Sequence, residues 1–392
     1  MKKTFDEVVL FARTGLNPRQ NFKLGQGKNK YITIKNIKNN TLVVDDNTDV
    51  VDDDAIKLIH KRSQIKKGDI LFASIGRMGD MYIIEKEPVG WDINESVFAF
   101  TLNTNIVRQK YFYYIFKVKS TLDYLASNSS GSTFKSIKMN QLKRMVFDIP
   151  SLKEQDSIIT ILDKVCNVIE MRKRELGSLD ELIKARFVEM FGDPVANDMG
   201  WDTLPLENVC KAIVDCPHST PSYTNEDTGF MCIRTSIVKK NKILWDDIEY
   251  ISEDEFAKRI QRKKPEVGDI VYTREGAILG IAAIIDRDCN VALGQRSMLL
   301  SPDIDKCTSE FLCVAMNSDS FLDNALRGVS GSASPHINVG DIKAFKMIMP
   351  PIELQEQFSD FVKQVDKSKV AIQAALDKSQ LLFDSLMQKY FG

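Results

Sequence analysis

The 392 residues are 43% hydrophobic, 27% charged and 9% aromatic, the balance of folded globular proteins and not of disordered or fibrous chains. Lys and Arg total 53 against 54 Asp and Glu, so no global field marks a binder of nucleic acid or membrane, and any such contact must come from local patches. The apolar runs are short and broken by charge, and the start MKKTFDEVVLFARTG lacks the core of a signal peptide, which reads as a cytoplasmic chain.

Taken in chain order, residues 1–150 are rich in β-branched and aromatic residues punctuated by Gly, Asn, Asp and Ser, as in YITIKNIKN, GDILFASIG and MYIIEKEPVG. That pattern predicts short strands. Near 109–127 the apolar period becomes helical, so the segment is expected to be a mixed α/β domain on one strongly bent sheet. Residues 151–192 are expected to form one long helix: no proline falls within 158–190, and Ile158, Leu162, Val165, Ile169, Leu176, Leu179, Ile183 and Met190 recur at steps of three, four and seven. It stops at Phe191-Gly192, where glycine allows a left-handed cap. Residues 193–350 return to strand-like runs (GFMCIRTSIV, GDIVYTREGA, GIAAIIDRD) and to a helical stretch near 307–327. Residues 351–392 form a second long helix with Phe358, Val362, Val365, Ile372, Leu376, Phe383, Leu386 and Tyr390 on its seam. Arg172, Arg186, Lys369 and Ser379 fall on the seams, where polar groups weaken packing and set register.

The second half repeats the first at a shift of 200: Gly68-Asp69-Ile70 meets Gly268-Asp269-Ile270, Gly76 meets Gly276, Pro150 meets Pro350, Gln155 meets Gln355 and Phe191-Gly192 meets Phe391-Gly392. Over positions 68–192 there are 20 identities in 125, where ordinary residue usage gives roughly 7 or 8. The expected fold is α+β: two similar mixed α/β heads separated by two long helices that pair as an antiparallel coiled coil. A helix packed on its own head is the competing arrangement.

The order and spacing resemble the specificity subunit of type I restriction-modification systems. The resemblance rests on Ile149-Pro150-Ser151-Leu152-Lys153-Glu154-Gln155 and Met349-Pro350-Pro351-Ile352-Glu353-Leu354-Gln355, on the two Gly-Asp-Ile runs, and on Tyr272-Thr273-Arg274-Glu275-Gly276, Gly294-Gln295-Arg296 and Asp215-Cys216-Pro217-His218-Ser219-Thr220-Pro221. The first copy departs from it, with Asn94-Glu95-Ser96 and Ser74-Ile75-Gly76-Arg77 at the corresponding places. The resemblance implies two target recognition domains, each reading one half of a split asymmetric site on double-stranded DNA. It further implies that the helices set the half-site spacing and dock two methyltransferase (modification) subunits, with restriction/translocase subunits joining the full complex. No membrane is involved, and the methyl donor and ATP/Mg would belong to the partner subunits, leaving no cofactor in this chain.

Local charge fits that role: residues 1–40 hold nine Lys/Arg against two acids, and 101–147 hold eight against one. In the second head RIQRKK (259–264) and KKNK (239–242) are the basic candidates. Base edges are read by forked or planar donors and acceptors on loops. The candidates in the first head are Lys35, Asn36, Arg77, Ser129, Ser130, Ser132, Thr133 and Lys135. In the second they are His218, Ser219, Thr220, Arg234, Thr235, Ser236, Arg274, Gln295, Arg296, Ser330, Ser332 and His336. Competing structural roles are a turn for Ser-Gly-Ser, an internal salt pair for Arg274-Glu275 and a helix cap for His218.

Catalysis is not expected. The chain has no Asn-Pro-Pro or Asp-Pro-Pro element and no Walker motif, and Gly25-Gln26-Gly27 lacks a third glycine. Seven cysteines without a C-x-x-C pair, and three histidines (His60, His218, His336), supply neither a disulfide framework nor a metal centre. Two other readings stay open: a coiled-coil scaffold whose heads bind protein or small ligands, and a related bipartite restriction system outside type I.

Overall fold

The computed structural model describes residues 1–38, 41–131, 135–327 and 335–392. The chain divides into two compact units, one made of residues 1–171 with 376–392 and the other of residues 172–375.

The first head contains β1 (Lys2–Thr4), β2 (Val9–Thr14), β3 (Asn29–Ile32), β4 (Val50–Val51), α1 (Asp53–Ser63), β5 (Ile70–Ala73), β6 (Met81–Ile83), β7 (Trp91–Ile93), β8 (Val97–Leu102), α2 (Gln109–Ile115), α3 (Lys119–Ser127) and β9 (Val146–Asp148). One antiparallel sheet has the order β2-β8-β5-β6; a second has the order β4-β3-β7, with β3 and β7 parallel; β1 and β9 form a separate pair. The single bent sheet expected from sequence is therefore divided. The Asn94–Ser96 turn carries the chain from β7 in one sheet to β8 in the other. The apolar run of β5 is unbroken because both faces are covered. Ile70 and Phe72 enter an aromatic core with Phe5, Phe100, Phe112 and Phe116, while Leu71 joins Ile32, Ile84 and Ile93 on the other side. Each buried phenylalanine contributes roughly 1.5–3 kcal/mol.

The second head repeats this plan. After α4 (Leu152–Phe191) come β10 (Thr203–Pro205), β11 (Cys210–Asp215), β12 (Tyr223–Thr224), β13 (Met231–Ile233), β14 (Glu249–Ile251), α5 (Glu253–Arg259), β15 (Ile270–Thr273), β16 (Ala282–Ile284), β17 (Val291–Leu293), β18 (Ser297–Pro302), α6 (Ser309–Asn317), α7 (Asp319–Leu326), β19 (Lys346–Ile348) and α8 (Ile352–Phe391). The sheets are β11-β18-β15-β16, β12-β14-β13-β17 and the pair β10-β19. Register repeats with the sequence: Phe98 faces Phe72 and Phe100 faces Ile70, as Met298 faces Tyr272 and Leu300 faces Ile270.

Both long helices are 40 residues, about 60 Å at 1.5 Å per residue. A capping box starts α4, with Ser151 N–H and Oγ donating to Glu154 Oε2 at 2.9 and 2.7 Å. Gly192 ends it at φ 73°, its N–H on the Val188 carbonyl. The Gln of the repeated motif joins each helix to its head. Gln155 Oε1 accepts the Arg108 N–H at 2.8 Å while Nε2 donates to the Ile106 and Pro150 carbonyls at 2.8 and 2.9 Å. Gln355 makes the same three bonds with Thr308, Lys306 and Pro350 at 3.1, 3.2 and 2.9 Å. Both side chains are wholly buried.

Within each unit the first half of one long helix runs beside the last half of the other, so the pairing is antiparallel, as expected. In the first unit Leu162 of α4 and Met387 of α8 share a cluster with Tyr114 and Val118 of the head. In the second, Phe187 and Phe191 of α4 pack on Phe358 of α8 and Phe311 of the head, with ring centroids 4.8–5.5 Å apart. The helices thus pair with each other and also pack on a head; the two arrangements weighed from sequence coexist. Two polar seam residues tie the pair: Arg172 donates to the Ala375 carbonyl, and Lys369 Nζ lies 2.7 Å from Asp180. Arg186 does not, because it pairs with Glu189 on its own helix while neighbouring Phe187 takes the buried place. Among the described residues no helix is long and apolar enough to cross a membrane, and no group of three or more His, Cys, Asp or Glu is gathered to hold a metal.

Candidate nucleic-acid interface

In each head several loops meet at one end of the central strands, held by a set of backbone hydrogen bonds that the duplication repeats. Ser74 N–H bonds Ser96 O as Arg274 N–H bonds Arg296 O; Gly76 bonds Lys135 as Gly276 bonds Pro335; Ile137 bonds Ser74 as Ile337 bonds Arg274; Asn94 bonds Ile32 as Gly294 bonds Ile233. Backbone groups carry this frame, so side chains on it differ without disturbing it.

In the first head the frame brings Ile34–Asn36, Gly76-Arg77, Ser130 and Lys135 together. An added Cβ at Gly76 would lie 3.8 Å from Ile34, and Ser130 and Ser136 exchange backbone bonds of 2.9 Å. Lys35, Arg77 and Lys135 are exposed there; Arg77 lies 3.8 Å from Asp80. Ser129 Oγ is turned back onto Ala126 O at 2.8 Å, and Ser130 is exposed. Asn36 is spent internally: its Oδ1 accepts from Thr33, and its Nδ2 donates to Val43 O and Thr48 Oγ1. Its amide holds a turn and has no free edge for a base. Ser132 and Thr133, with Ser330 and Ser332 of the second head, lie outside the described residues.

In the second head Asp215 organises the site. The Arg274 fork meets both its carboxylate oxygens at 2.9 and 3.2 Å, and His218 Nε2 lies 3.2 Å from Oδ2. Arg274 is therefore buried in an internal ion pair, though with Asp215 and not with Glu275, and His218 is tied to the same carboxylate instead of capping a helix. Ser219 accepts the Arg259 guanidinium through its carbonyl at 2.8 Å; Thr220 Oγ1 reaches Gln295 Oε1 at 3.4 Å. Arg234 pairs with Glu249 at 2.8 Å and lies over the Tyr223 ring at 5.7 Å. Thr235 and Ser236 start the following short helix, Ser236 exposed. His336 bridges Glu275 through the backbone.

Arg296 is the most exposed arginine of this frame. It sits at φ 73° in the turn between β17 and β18, a left-handed conformation that costs a non-glycine residue about 1–2 kcal/mol and clusters at functional sites. Its Nη1 lies 3.5 Å from where a Cβ at Gly276 would stand, so glycine leaves room for the guanidinium. At Gly294 a Cβ would come within 2.9 Å of Ile233 O; the first head solves the same turn with Asn94, whose amide bonds Ser96 Oγ and N–H at 2.8 and 3.1 Å.

The sequence pattern missed Asp215 as the hub of the site, although it opens the Asp215–Pro221 motif. It also took the 259–264 basic run as a phosphate-binding surface. Arg259 is buried on Glu255, four residues earlier on α5 at 2.7 Å, and Lys263 is held by Asp269 and Glu266 at 2.9 Å. The helical spacing of Glu255 and Arg259 was the available signal.

The type I restriction modification DNA specificity domain family matches residues 1–180 and again 199–380. The type I restriction enzyme MjaVIII specificity subunit of Methanocaldococcus jannaschii is 21% identical over 329 residues, covering 79% of this chain and 75% of its own length. The MjaIX specificity subunit of the same organism is 23% identical, with coverages of 82% and 76%. Among solved structures, the type I restriction-modification S subunit from M. genitalium superposes with a TM-score of 0.54 at 16% identity, over 100% of this chain and 96% of its own.

Proposed function

The chain belongs to the type I restriction-modification DNA specificity family, and from that premise we propose that each head reads one half of a split, asymmetric site on double-stranded DNA. The observation that carries this is the shared backbone frame with different side chains upon it: Ser74, Arg77 and Asn94-Glu95-Ser96 in one head, Arg274, Ala277 and Gly294-Gln295-Arg296 in the other. Identical frames present the loops alike, and unlike side chains select unlike bases. Arg77, Lys135 and Lys35 in the first head, and Arg296, Gln295, Thr220, His218 and Ser236 in the second, are the reading candidates, since their polar ends stand at the loop cluster. Asn36, Arg274 and Ser219 support the loops from within.

The remaining roles follow the same premise. The length of α4 and α8 sets the spacer between half-sites, and the helices dock two methyltransferase subunits, with restriction/translocase subunits in the full complex. This chain carries out no catalysis, needs no cofactor of its own and works in the cytoplasm. Methylation mapping in cells tests the central claim: exchanging residues 1–150 for the matching segment of a relative is expected to change one half of the methylated motif. A change in both halves refutes separate reading.

A further inference from the structure

Two loops of the second head carry reading candidates, the 215–221 motif after β11 and the Gly294–Arg296 turn after β17, and one buried side chain bonds both. Arg259 is the last residue of α5. Its Nη2 donates to the Ser219 carbonyl at 2.8 Å and its Nη1 to the Leu293 carbonyl at 3.2 Å, while Nε meets Glu255 Oε1 at 2.7 Å. Ser219 stands between His218 and Thr220, and Leu293 leads directly into Gly294-Gln295-Arg296. The loops also meet each other, Thr220 Oγ1 lying 3.4 Å from Gln295 Oε1. Arg262 Nη1 adds a further tie, to the Asp215 carbonyl at 3.1 Å.

Fold stability does not call for this arrangement. The first head has Ala55 and Ile59 at the two corresponding positions of α1, both buried in an apolar cluster with Tyr31 and Val51. A buried ion pair seldom stabilises more than well-packed apolar residues of similar size, so stability alone does not explain the charged pair. Glu255 occupies only Nε. The two terminal nitrogens, held in one plane by the guanidinium, are left to bridge backbone segments far apart in the sequence. The first head holds the stretch after its β2 by a different donor, the Tyr31 hydroxyl on the Leu16 carbonyl at 2.6 Å. Each head therefore seats this loop with a donor of its own.

We infer that Arg259 is a positioning residue for sequence reading by the second head, an inference that rests on the DNA-reading role proposed above. Being buried, it meets no base. By fixing Ser219 relative to Leu293 it sets the spacing between His218-Ser219-Thr220 and Gln295-Arg296, and donors held at a fixed spacing discriminate between bases better than donors on loose loops. The test lets the full chain select from a randomised duplex library. The parent is compared with Arg259→Lys, which keeps the charge beside Glu255 but cannot fork, and with the double variant Glu255→Ala, Arg259→Ile, which copies the first head and strands no charge. In the parent a wrong base in the second half-site should weaken binding about 5- to 150-fold. In both variants that factor should fall below about fivefold, with discrimination in the first half-site unchanged. The slope of log affinity against log salt should also stay the same, whereas loss of a direct phosphate contact lowers it by about 0.9. If Arg259→Lys does not fold, the double variant decides. Parental discrimination in either folded variant, equal loss in both half-sites, or a salt slope lowered by about 0.9 overturns the positioning role. A parent chain that enriches no bipartite sequence overturns the reading role itself.

Discussion

Replacing Gln155 by Met keeps the side-chain length but removes all three bonds that join α4 to the first head. The Arg108 N–H and the Ile106 and Pro150 carbonyls, now bonded at 2.8–2.9 Å, would be left facing an apolar chain. A buried polar group without its partner costs about 1–3 kcal/mol; allowing for carbonyls being the more tolerant, three such groups give about 3–5 kcal/mol, at the severe end for one substitution. Hydrogen exchange of the full chain in urea should show the loss in residues 1–171 for Gln155→Met and in residues 172–375 for Gln355→Met. Gln155→Glu supplies an internal control. As a carboxylate its second oxygen opposes two carbonyls, which raises its pKa in the folded state, so the defect should be small at acidic pH and grow as the pH rises through that value. A loss below about 1 kcal/mol for Gln155→Met would refute the view that this glutamine sets the head on the helix.

Arg296→Ala should cost about 1–3 kcal/mol of binding to the cognate DNA and relax the half-site read by the second head alone, whereas Arg274→Ala strands the Asp215 carboxylate and should instead destabilise the fold by about 3–5 kcal/mol in thermal unfolding; equal behaviour of the two would refute the assignment. Thiol reagents at neutral pH should label Cys166 and Cys289, which are partly exposed, and spare the other five cysteines until unfolding. Burial pushes the Cys210 and Cys232 thiols up to about 12, and mass spectrometry of labelled peptides reads the pattern. Seven residues inserted after Gly177 and seven after Ala371, matched because the Arg172–Ala375 and Lys369–Asp180 ties bracket that stretch, add about 10.5 Å of helix while keeping the seam. The methylated motif should then gain about three base pairs of spacer with both halves unchanged, and an active variant with the original spacer would exclude the helices as the ruler.

The duplication, the two long helices and the α/β character of the heads were legible because each leaves a periodic mark: a shift of 200, steps of three and four, and runs such as Ile70–Ala73 bounded by turn residues. Division of the sheet was not, since the Asn94–Ser96 turn has the composition of any loop and its effect depends on which strands pair across space. The loops named from sequence do meet at one end of the central strands, with Arg77, Lys135 and Arg296 exposed there. What failed was the separation of exposed from internally bonded polar residues. Asn36 and Arg274 have the chemistry of base readers, yet their partners, Val43 and Thr48 in one case and Asp215 in the other, are identifiable only from the fold. Arg186 and Phe187 show the same limit on a helix, where one step of 100° decides which neighbour meets the seam.

These internal partners bear on how the two heads diverge. At the end of β5 and β15 the backbone bonds are the same, but Ser74 fills its place with a hydroxyl on Ser96 O at 2.7 Å, while Arg274 fills the equivalent place with a guanidinium and its counter-ion. The strand register sets Thr14 opposite Phe98 where Asp215 stands opposite Met298. An arginine placed at position 74 would therefore meet a threonine instead of a carboxylate, and its charge would be buried unpaired at a cost of several kcal/mol. Side chains that touch solvent at the loop cluster, such as Arg296 and Arg77 with its loose 3.8 Å pair to Asp80, need no buried counter-ion. Substitution at the loop cluster thus falls into two tiers: an exposed residue such as Arg296 can be replaced without a compensating partner, whereas in a supporting pair such as Asp215 and Arg274 one residue cannot be replaced alone without leaving a buried charge unpaired.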